Sequence, residues 1–288
     1  MQARCANSFQ RDLLCVPLGF YTAYDFLYFK GCGIMLLTVD VGNTNIKMGI
    51  FDKQTLKFKL TCSTDIRKTS DEFAAEFYTF FKIHGIDEKA IDASIISSVV
   101  PKVTRPLKEA IKTVTGTKSL VVGPGIKTGL DIKIDRPETL GADIVAGSVA
   151  SCRNYSCPNI TIFMGTATVV VYNDEHGSYC GGAIMPGVGI SLDALTSHGA
   201  LLSSVDLTAP KKAIGTNTAD STRSGVVLGN AFMIDGFIER FMQEAGRECT
   251  VIATGGLAPQ ITKNCKHKII NDENLILEGL RIISERNR

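Results

Sequence analysis

The sequence lacks tryptophan, is poor in aromatic residues generally, and has no excess of either charge. Aromatic side chains make up only 7% of its 288 residues, and 31 lysines and arginines stand against 29 acidic residues, a formal net charge of +2. Proteins that bind a nucleic-acid backbone usually carry a basic patch, so this balance argues against a nucleic-acid partner. The hydrophobic share of 44% is that of an ordinary globular chain with a sizeable core.

Long apolar runs and paired cysteines are also missing. No segment reaches the roughly 18 uninterrupted apolar residues that a membrane-spanning helix needs, and the nearest, residues 13–29, contains Asp25. The nine cysteines form no Cys-x-x-Cys pair and no zinc-ligand spacing, and an odd number cannot close into a complete disulfide framework. We therefore expect a cytoplasmic protein with reduced thiols and no membrane attachment.

Regular patterning begins at Met35. Residues 1–34 are rich in aromatic side chains but have no period and no helix cap, so we interpret them as an atypical leader that is either untranslated or disordered. From Met35 onward, short apolar or alternating segments, typical of strands, alternate with segments of helical spacing. This alternation of strands and helices predicts an α/β fold.

The pattern starts again in the second part of the chain. Residues Thr161–Val169 (TIFMGTATV) align with Thr38–Ile46 (TVDVGNTNI) at an offset of 123, with threonine, glycine and a β-branched residue in matching places. Both copies continue as a strand meander and are followed by helices. The sequence thus predicts an internal duplication, with one half at 35–145 and the other at 146–288.

The repeated segment carries the first candidate site. In Asp40–Lys47 (DVGNTNIK), Gly42 lets the chain turn tightly, the amides of residues 43–45 can point at a phosphate, and the threonine and lysine add a hydroxyl and a cation. Asp40 can hold the water shell of a metal ion. With Gly165–Val169 as a second hairpin, a polyphosphate can be held from two sides. The alternative is an ordinary Asn/Gly-rich hairpin with a solvated aspartate.

The second candidate is Asp143, in the segment Leu140–Asp143 (LGAD) that precedes an apolar helical stretch. It is either a catalytic carboxylate or the N-cap of the helix, a position where aspartate is favoured.

The signatures of several other enzyme classes are missing. The four histidines have no metal-ligand spacing, and the chain has no HExxH, GxSxG or Walker-type motif, which excludes metalloprotease, serine-hydrolase and P-loop chemistry.

Taken together, eight motifs resemble the type III pantothenate kinases in order and spacing, and the resemblance covers Met35 to about Asn287. The motifs are DVGNTNIK (Asp40–Lys47), SSVVP (Ser97–Pro101), VVGPGIKTGL (Val121–Leu130), LGAD (Leu140–Asp143), GTAT (Gly165–Thr168), GGAIMPG (Gly181–Gly187), IGTNT (Ile214–Thr218) and ATGGLA (Ala253–Ala258). The resemblance implies two duplicated ribonuclease-H-like halves, as in the actin-like ATPases, with the nucleotide between them, and a homodimer. It also implies transfer of the γ-phosphate of ATP to pantothenate, the first step of coenzyme A biosynthesis, with Mg²⁺ and a monovalent cation, K⁺ or NH₄⁺.

The resemblance further implies roles for individual residues. Asp143 matches the family's general base, and Asp40 would hold Mg²⁺ through water. The ATP contacts match the first hairpin and one residue of the second, namely Asp40, Val41, Gly42, Asn43, Thr44, Asn45, Ile46, Lys47 and Thr166. The pantothenate contacts match Gly141, Ala142, Asp143, Ile144 and Thr218.

Two residues depart from the family's pattern. The family usually has an arginine where this chain has Ile144, beside the base, and an aspartate that ligates the monovalent cation where this chain has Phe163. Because a phenyl ring offers no ligand to a hard cation, we expect an enzyme that is impaired or independent of that cation. Two alternatives stay open: a non-catalytic or weakly active nucleotide-binding relative that acts through protein partners, like the Bvg accessory factors, and a kinase with another hydroxyl substrate.

Overall fold

The structure is a computed structural model that describes residues 35–199 and 205–288. The leader predicted at 1–34 lies outside the described residues and stays a prediction. Among the described helices, none is both long and apolar enough to cross a membrane. The cysteines in the same part of the chain are free thiols.

The first half is built on a mixed five-stranded sheet with the order β3-β2-β1-β4-β5. Its first three strands form an antiparallel meander, whereas β4 pairs parallel to β1 and β5 parallel to β4. β1 is buried over its whole length because it lies inside the sheet and is covered on both faces, which explains why its sequence is apolar except at Thr38 and Asp40. The strands are β1 Met35–Val41, β2 Asn45–Asp52, β3 Thr55–Ser63, β4 Ile91–Ser98 and β5 Ser119–Val121.

Two helices, α1 (Ser70–Ile83) and α2 (Pro101–Thr115), pack together on the outer face of this sheet. α1 begins with a capping box, in which the side chains of Thr69 and Glu72 each accept a hydrogen bond from the other's backbone N–H. α2 begins with a proline, whose fixed φ suits a first helical turn, and ends at Gly116 with a φ of 78°. Local sequence signals therefore define both helices of this layer.

The second half repeats the first. Its sheet has the order β8-β7-β6-β9-β10, with an antiparallel meander of β6 to β8 and parallel neighbours on the other side, strand for strand the topology of the first sheet. The strands are β6 Asn159–Met164, β7 Ala167–Asn173, β8 Tyr179–Pro186, β9 Thr250–Thr254 and β10 Ile270–Asn271. The predicted α/β fold of two duplicated halves is confirmed.

Three helices cover the outer face of the second sheet: α4 Val188–His198, α6 Gly229–Ala245 and α7 Ala258–Thr262. The short helix α5 (Thr218–Arg223) precedes α6. A π-helical turn at Ser224–Leu228 joins α5 to α6. The helical pattern in this region of the sequence therefore belongs to one continuous stretch with an irregular turn inside it.

Two further helices, α3 (Ala142–Asn154) and α8 (Leu275–Glu285), form a layer between the two sheets. They pack closely on each other, and α8, although it comes last in the chain, also packs on β1 and β4 of the first half. The buried cluster around them joins side chains of both halves, such as Leu36, Ile252 and Leu280. The boundary predicted at residue 145 falls inside α3 and stays a prediction.

Candidate active site

The turn between β1 and β2 is the first candidate phosphate hairpin. The N–H of Gly42 donates to the carbonyl of Asn45 (3.0 Å), and Thr64 braces the turn by donating its hydroxyl to Gly42 O (2.7 Å) and its N–H to Thr44 O (2.9 Å). Residues 43–45 are exposed at the tip. The fixed turn holds these three residues at the surface, where a ligand can reach them.

The equivalent turn between β6 and β7 is the second hairpin. The N–H of Gly165 donates to the carbonyl of Ala167 (3.0 Å), and the N–H of Gly187 donates to Thr166 O (3.1 Å). The hydroxyls of Thr44 and Thr166 lie 3.1 Å apart, although 122 positions separate them in the chain. The structure therefore brings the two predicted ATP-binding hairpins into contact with each other.

Asp40 lies beneath the first hairpin, near the end of β1. In the sheet it stands opposite Lys47 of β2 on one side and Ser97 of β4 on the other. The residue is 8% exposed, and its Oδ1 atom and the Ser97 hydroxyl are both buried without a hydrogen-bond partner among the described residues. Burial raises the pKa of Asp40 to about 7, and the negative charge of Asp143 adds to this shift. The positive charge of Lys47 and the nearby Ser97 hydroxyl oppose it.

Asp143 is the second residue of α3, in the layer between the sheets. The N-cap of α3 is Gly141, so Asp143 is not the helix cap that the sequence also allowed. Its Oδ1 accepts a hydrogen bond from the N–H of Ile144 (2.9 Å), which fixes the carboxylate at the start of the helix. Burial raises the pKa of Asp143, against the opposing effect of the backbone hydrogen bonds. A carboxylate with a raised pKa is suited to accept a proton near neutral pH.

The surroundings of Asp40 fit a hydrated divalent cation. Mg²⁺ prefers hard oxygen ligands and usually keeps several of its waters. Here Asp40 Oδ1 and the Ser97 hydroxyl are buried and have no hydrogen-bond partner within residues 35–199 and 205–288. Asp143 is close enough for its charge to act on Asp40. Ser97 begins the SSVVP motif but is not among the predicted site residues, because only the pairing of β1 with β4 places it beside Asp40.

Phe163 and Ile144 lie in one buried apolar cluster, together with Val171 and Tyr179. The two side chains are 6% and 7% exposed. Phe163 lies beneath α3, where its ring packs on Gly147. The ring offers no oxygen or nitrogen atom, so the residues here do not fit a monovalent cation at position 163.

The remaining predicted substrate residues are not all brought together. Gly141 and Ala142 precede Asp143 directly, and Gly141 lies against its carboxylate. Thr218 is the first residue of α5, which begins after the N-cap Asn217. No hydrogen bond in the described part of the chain joins Thr218 to Asp143 or to either hairpin.

The fold and the site define a class. Two similar α/β halves, with hairpins that meet between them and a nearby pair of carboxylates, are the architecture of the actin-like ATPases and of the kinases built on the same fold. The family model of type III pantothenate kinases matches residues 36–240. The chain belongs to the type III pantothenate kinase family.

Individual relatives agree with this assignment. The chain is 39% identical over 256 residues to the type III pantothenate kinase of Brevibacillus brevis, covering 88% of this chain and 100% of the relative. It is 42% identical over 254 residues to that of Geotalea uraniireducens, covering 88% and 99%.

Two solved structures support the fold alone. A conserved Campylobacter jejuni protein assigned to the Baf family of transcriptional activators has a TM-score of 0.58 at 19% identity, covering 87% of this chain and 98% of the other. Component A of the (R)-2-hydroxyglutaryl-CoA dehydratase of Acidaminococcus fermentans has a TM-score of 0.52 at 12% identity, covering 89% and 100%.

Proposed function

We propose that this protein transfers the γ-phosphate of ATP to the primary hydroxyl of pantothenate, giving 4′-phosphopantothenate in the first step of coenzyme A biosynthesis. The observation that carries the proposal is the 3.1 Å contact between the hydroxyls of Thr44 and Thr166, which joins two hairpins of phosphate-binding type. The relatives, all named for the kinase activity, favour this function over a non-catalytic protein that acts through partners.

The two hairpins bind the polyphosphate in this proposal. The exposed amides of residues 43–45 and the hydroxyls of Thr44 and Thr166 donate to phosphate oxygens, and Lys47 supplies positive charge from the neighbouring strand. Phosphoryl transfer needs little covalent help from a protein, because most of its barrier is lowered by positioning and by neutralising charge. Two glycine turns that face each other meet the positioning requirement.

Asp143 acts as the general base. Its carboxylate, held by the N–H of Ile144, accepts the proton of the attacking hydroxyl as the oxygen bonds to the γ-phosphorus. The bond from the γ-phosphorus to the β,γ-bridging oxygen breaks, and ADP leaves with that oxygen. Gly141, Ala142, Ile144 and Thr218 stay predicted pantothenate contacts. Of these, Gly141 is supported by its position against the Asp143 carboxylate.

Of the two predicted metal ions, only the divalent one is supported by the residues present. Asp40, with Ser97 beside it, would hold Mg²⁺ through water, and the ion would neutralise charge on the phosphates. We assign no role to K⁺ or NH₄⁺, since Phe163 cannot ligate either ion.

We also propose a cytoplasmic homodimer. The free thiols of the described cysteines support a reducing compartment. Several large apolar side chains of the second half are exposed, as expected of a surface that a second copy covers: Ile184, Ile190, Leu195, Ile214 and Phe232. Sedimentation of the purified protein measures the oligomeric state directly.

Product formation tests the function. Purified protein with Mg·ATP should release ADP in proportion to added pantothenate, and mass spectrometry should detect 4′-phosphopantothenate. The rate should not respond to K⁺ or NH₄⁺ at constant ionic strength. ADP release that is independent of pantothenate would instead indicate another acceptor, and nucleotide binding without turnover would indicate the non-catalytic alternative.

The Asp143→Asn substitution tests the base. The amide keeps the size of the side chain but accepts a proton poorly, so kcat should fall by a factor on the order of 10²–10⁴ while KM for ATP changes little. The circular dichroism spectrum should match that of the parent, and the unfolding midpoint should not be lower, because the substitution removes a buried charge. An unchanged kcat would remove Asp143 from the mechanism.

A further inference from the structure

The ring of Phe163 connects the second hairpin to the helix that carries Asp143. Phe163 is the penultimate residue of β6, and Gly165 of the hairpin follows two residues later. Its neighbours in the strand, Ile162 and Met164, point into the outer core of the second half, whereas the Phe163 ring points the other way, toward α3. The ring is therefore the part of this strand end that reaches the central layer.

The contact between Phe163 and α3 is at Gly147. A Cβ atom added at Gly147 would overlap the Cε1 and Cζ atoms of the ring, so the ring occupies the space that a larger residue would fill. Gly147 lies one helical turn after Asp143 and on the same side of α3. Ile144, the residue after Asp143, belongs to the same buried cluster as the ring. The ring thus packs on the first two turns of the helix that begins with the base.

This arrangement links the two parts of the site that phosphoryl transfer must hold at a fixed separation. Thr166 contacts the polyphosphate and Asp143 the acceptor hydroxyl in the proposed reaction. An error of about 1 Å in the position of a reacting group can cost about 10²-fold in rate. A packed route between them runs from the hairpin along β6 to Phe163 and across Gly147 to α3.

We propose that Phe163 is a positioning residue for phosphoryl transfer, and that its ring, packed on Gly147, sets the distance between the second hairpin and the carboxylate of Asp143. The inference rests on the proposed function, in which Asp143 takes the hydroxyl proton. Phe163 itself touches neither substrate nor base in this role.

An exchange of volume across the contact tests the proposal. Gly147→Ala adds a methyl group that collides with the ring, whereas Phe163→Leu removes the two colliding ring atoms and keeps an equivalent of Cδ1, which lies 3.5 Å from the added methyl position. Each single substitution should lower kcat by about tenfold with less than a twofold change in KM for ATP or pantothenate. The double variant should recover at least a third of the parent kcat, because the added methyl fills the space that the ring leaves.

Two controls separate positioning from plain packing. Ile162→Val truncates the adjacent residue of the same strand on its opposite face and should lower the urea midpoint without lowering kcat. If Ile162→Val lowers kcat as much as Phe163→Leu does, or if the double variant recovers nothing, the ring is ordinary core and the proposal is wrong. Should Gly147→Ala not fold, the comparison of Phe163→Leu with Ile162→Val decides alone.

The Asp143→Asn variant, measured in the same assay, separates a failure of the proposed function from a failure of the positioning role. If it keeps its activity, the role of Asp143 in the proposed function is wrong. If it is inactive while both Phe163→Leu and Gly147→Ala keep the parent kcat, the proposed function stands and only the positioning role is rejected.

Discussion

Asp40 is a residue in which the needs of stability and of function conflict. An aspartate ionises near pH 3.8 in an unfolded chain, but burial in the folded protein raises the pKa of Asp40 to about 7. Between these two values the unfolded chain gives up a proton that the folded protein keeps, so stability falls as pH rises through this window. The penalty is complete above about pH 7, where the folded protein holds an ionised carboxylate whose Oδ1 has no hydrogen-bond partner in the described part of the chain.

The Asp40→Asn substitution should therefore stabilise the nucleotide-free protein. At pH 8 its free energy of unfolding should exceed that of the parent by about 1 kcal/mol or more, since one unit of pKa shift corresponds to about 1.4 kcal/mol. The difference should shrink toward pH 4, and phosphoryl transfer should be lost at every pH. Urea unfolding at the two pH values measures this. An equal gain in the free energy of unfolding at both pH values would show that ionisation of Asp40 does not cause it. Asp193→Asn, on the exposed side of α4, controls for the loss of one negative charge.

Ile144 and Phe163 form a coupled pair because they lie in the same buried cluster. Although the sequence comparison treats them as two separate departures, one beside the substrate and one at a cation, the packing joins them. A lone charge at either position would be buried among apolar side chains such as Tyr179 and Val171, without a partner. Opposite charges at the two positions could pair with each other.

The effects of Ile144→Arg and Phe163→Asp on the free energy of unfolding should consequently be non-additive. Each single substitution should cost about 3–5 kcal/mol of unfolding free energy, the usual cost of an unpaired buried charge, and the double variant should cost less than the sum by at least 1 kcal/mol. Denaturant unfolding of the three variants completes the double-mutant cycle. Additive costs would mean that the two side chains do not meet.

Among the secondary-structure elements, the second hairpin depends most on its neighbour. Gly187, between β8 and α4, donates its N–H to the carbonyl of Thr166 (3.1 Å), and a Cβ atom at Gly187 would overlap that same carbonyl oxygen. The residue before α4 thus holds the second hairpin in place through the backbone of Thr166. Only glycine allows this approach.

Gly187→Ala should weaken ATP binding more than it affects chemistry. The added methyl displaces Thr166, so KM for ATP should rise by about tenfold, equivalent to about 1.4 kcal/mol, with a smaller change in kcat. Gly189→Ala is the matched control, because its Cβ atom would meet nothing within 4 Å. Steady-state kinetics with varied ATP decide; equal KM values for the two variants would show that Gly187 does not support the hairpin.

The sequence patterns predict the presence of secondary-structure elements better than their exact ends. The mostly apolar sequence of β1 and the helical spacing of α1 identify those elements, but not the N-cap of α1. Thr69 and Ser70 are both favoured capping residues, and Thr69 is the cap because its side chain and that of Glu72 form the capping box. Proline suits the first turn of a helix, and α2 has two prolines: the helix begins at Pro101, so Pro106 lies inside it. Local signals identify an element more reliably than its end.

Part of the candidate site could be predicted from the sequence and part could not. The hairpins and Asp143 are recognisable because glycine turns and a carboxylate in a motif are local features. The partnership of Asp40 with Ser97 and the packing of Phe163 on Gly147 depend on which strand lies beside which, and on where α3 crosses the sheet. Such tertiary contacts have no signal in a single sequence.

At the scale of the whole molecule, the central layer of α3 and α8 makes the two halves interdependent. α8 comes from the end of the chain, yet it packs on α3 and on β1 and β4 of the first half. Gly279 of α8 approaches the carbonyl of Ala146 so closely that a Cβ atom there would overlap it. The first half therefore lacks part of its inner covering until the last helix is in place.

The Leu280→Ala substitution tests this interdependence. Leu280 is fully buried in the central cluster that both halves share, and its truncation should cost about 2–5 kcal/mol through lost burial and the remaining cavity. Because the cavity lies between the sheets, hydrogen exchange should show that peptides of β1 and of β6 lose protection to the same extent.

Ile234→Ala, a comparable truncation on α6 in the outer core of the second half, provides the contrast. Its cavity lies on the far side of the second sheet, so sub-global opening should lower the protection of α6 and β6 more than that of β1. If Leu280→Ala instead lowered protection in one half alone, the halves would unfold independently. The central layer would then be a surface on which two separate folding units rest, and the last helix would stabilise only one of them.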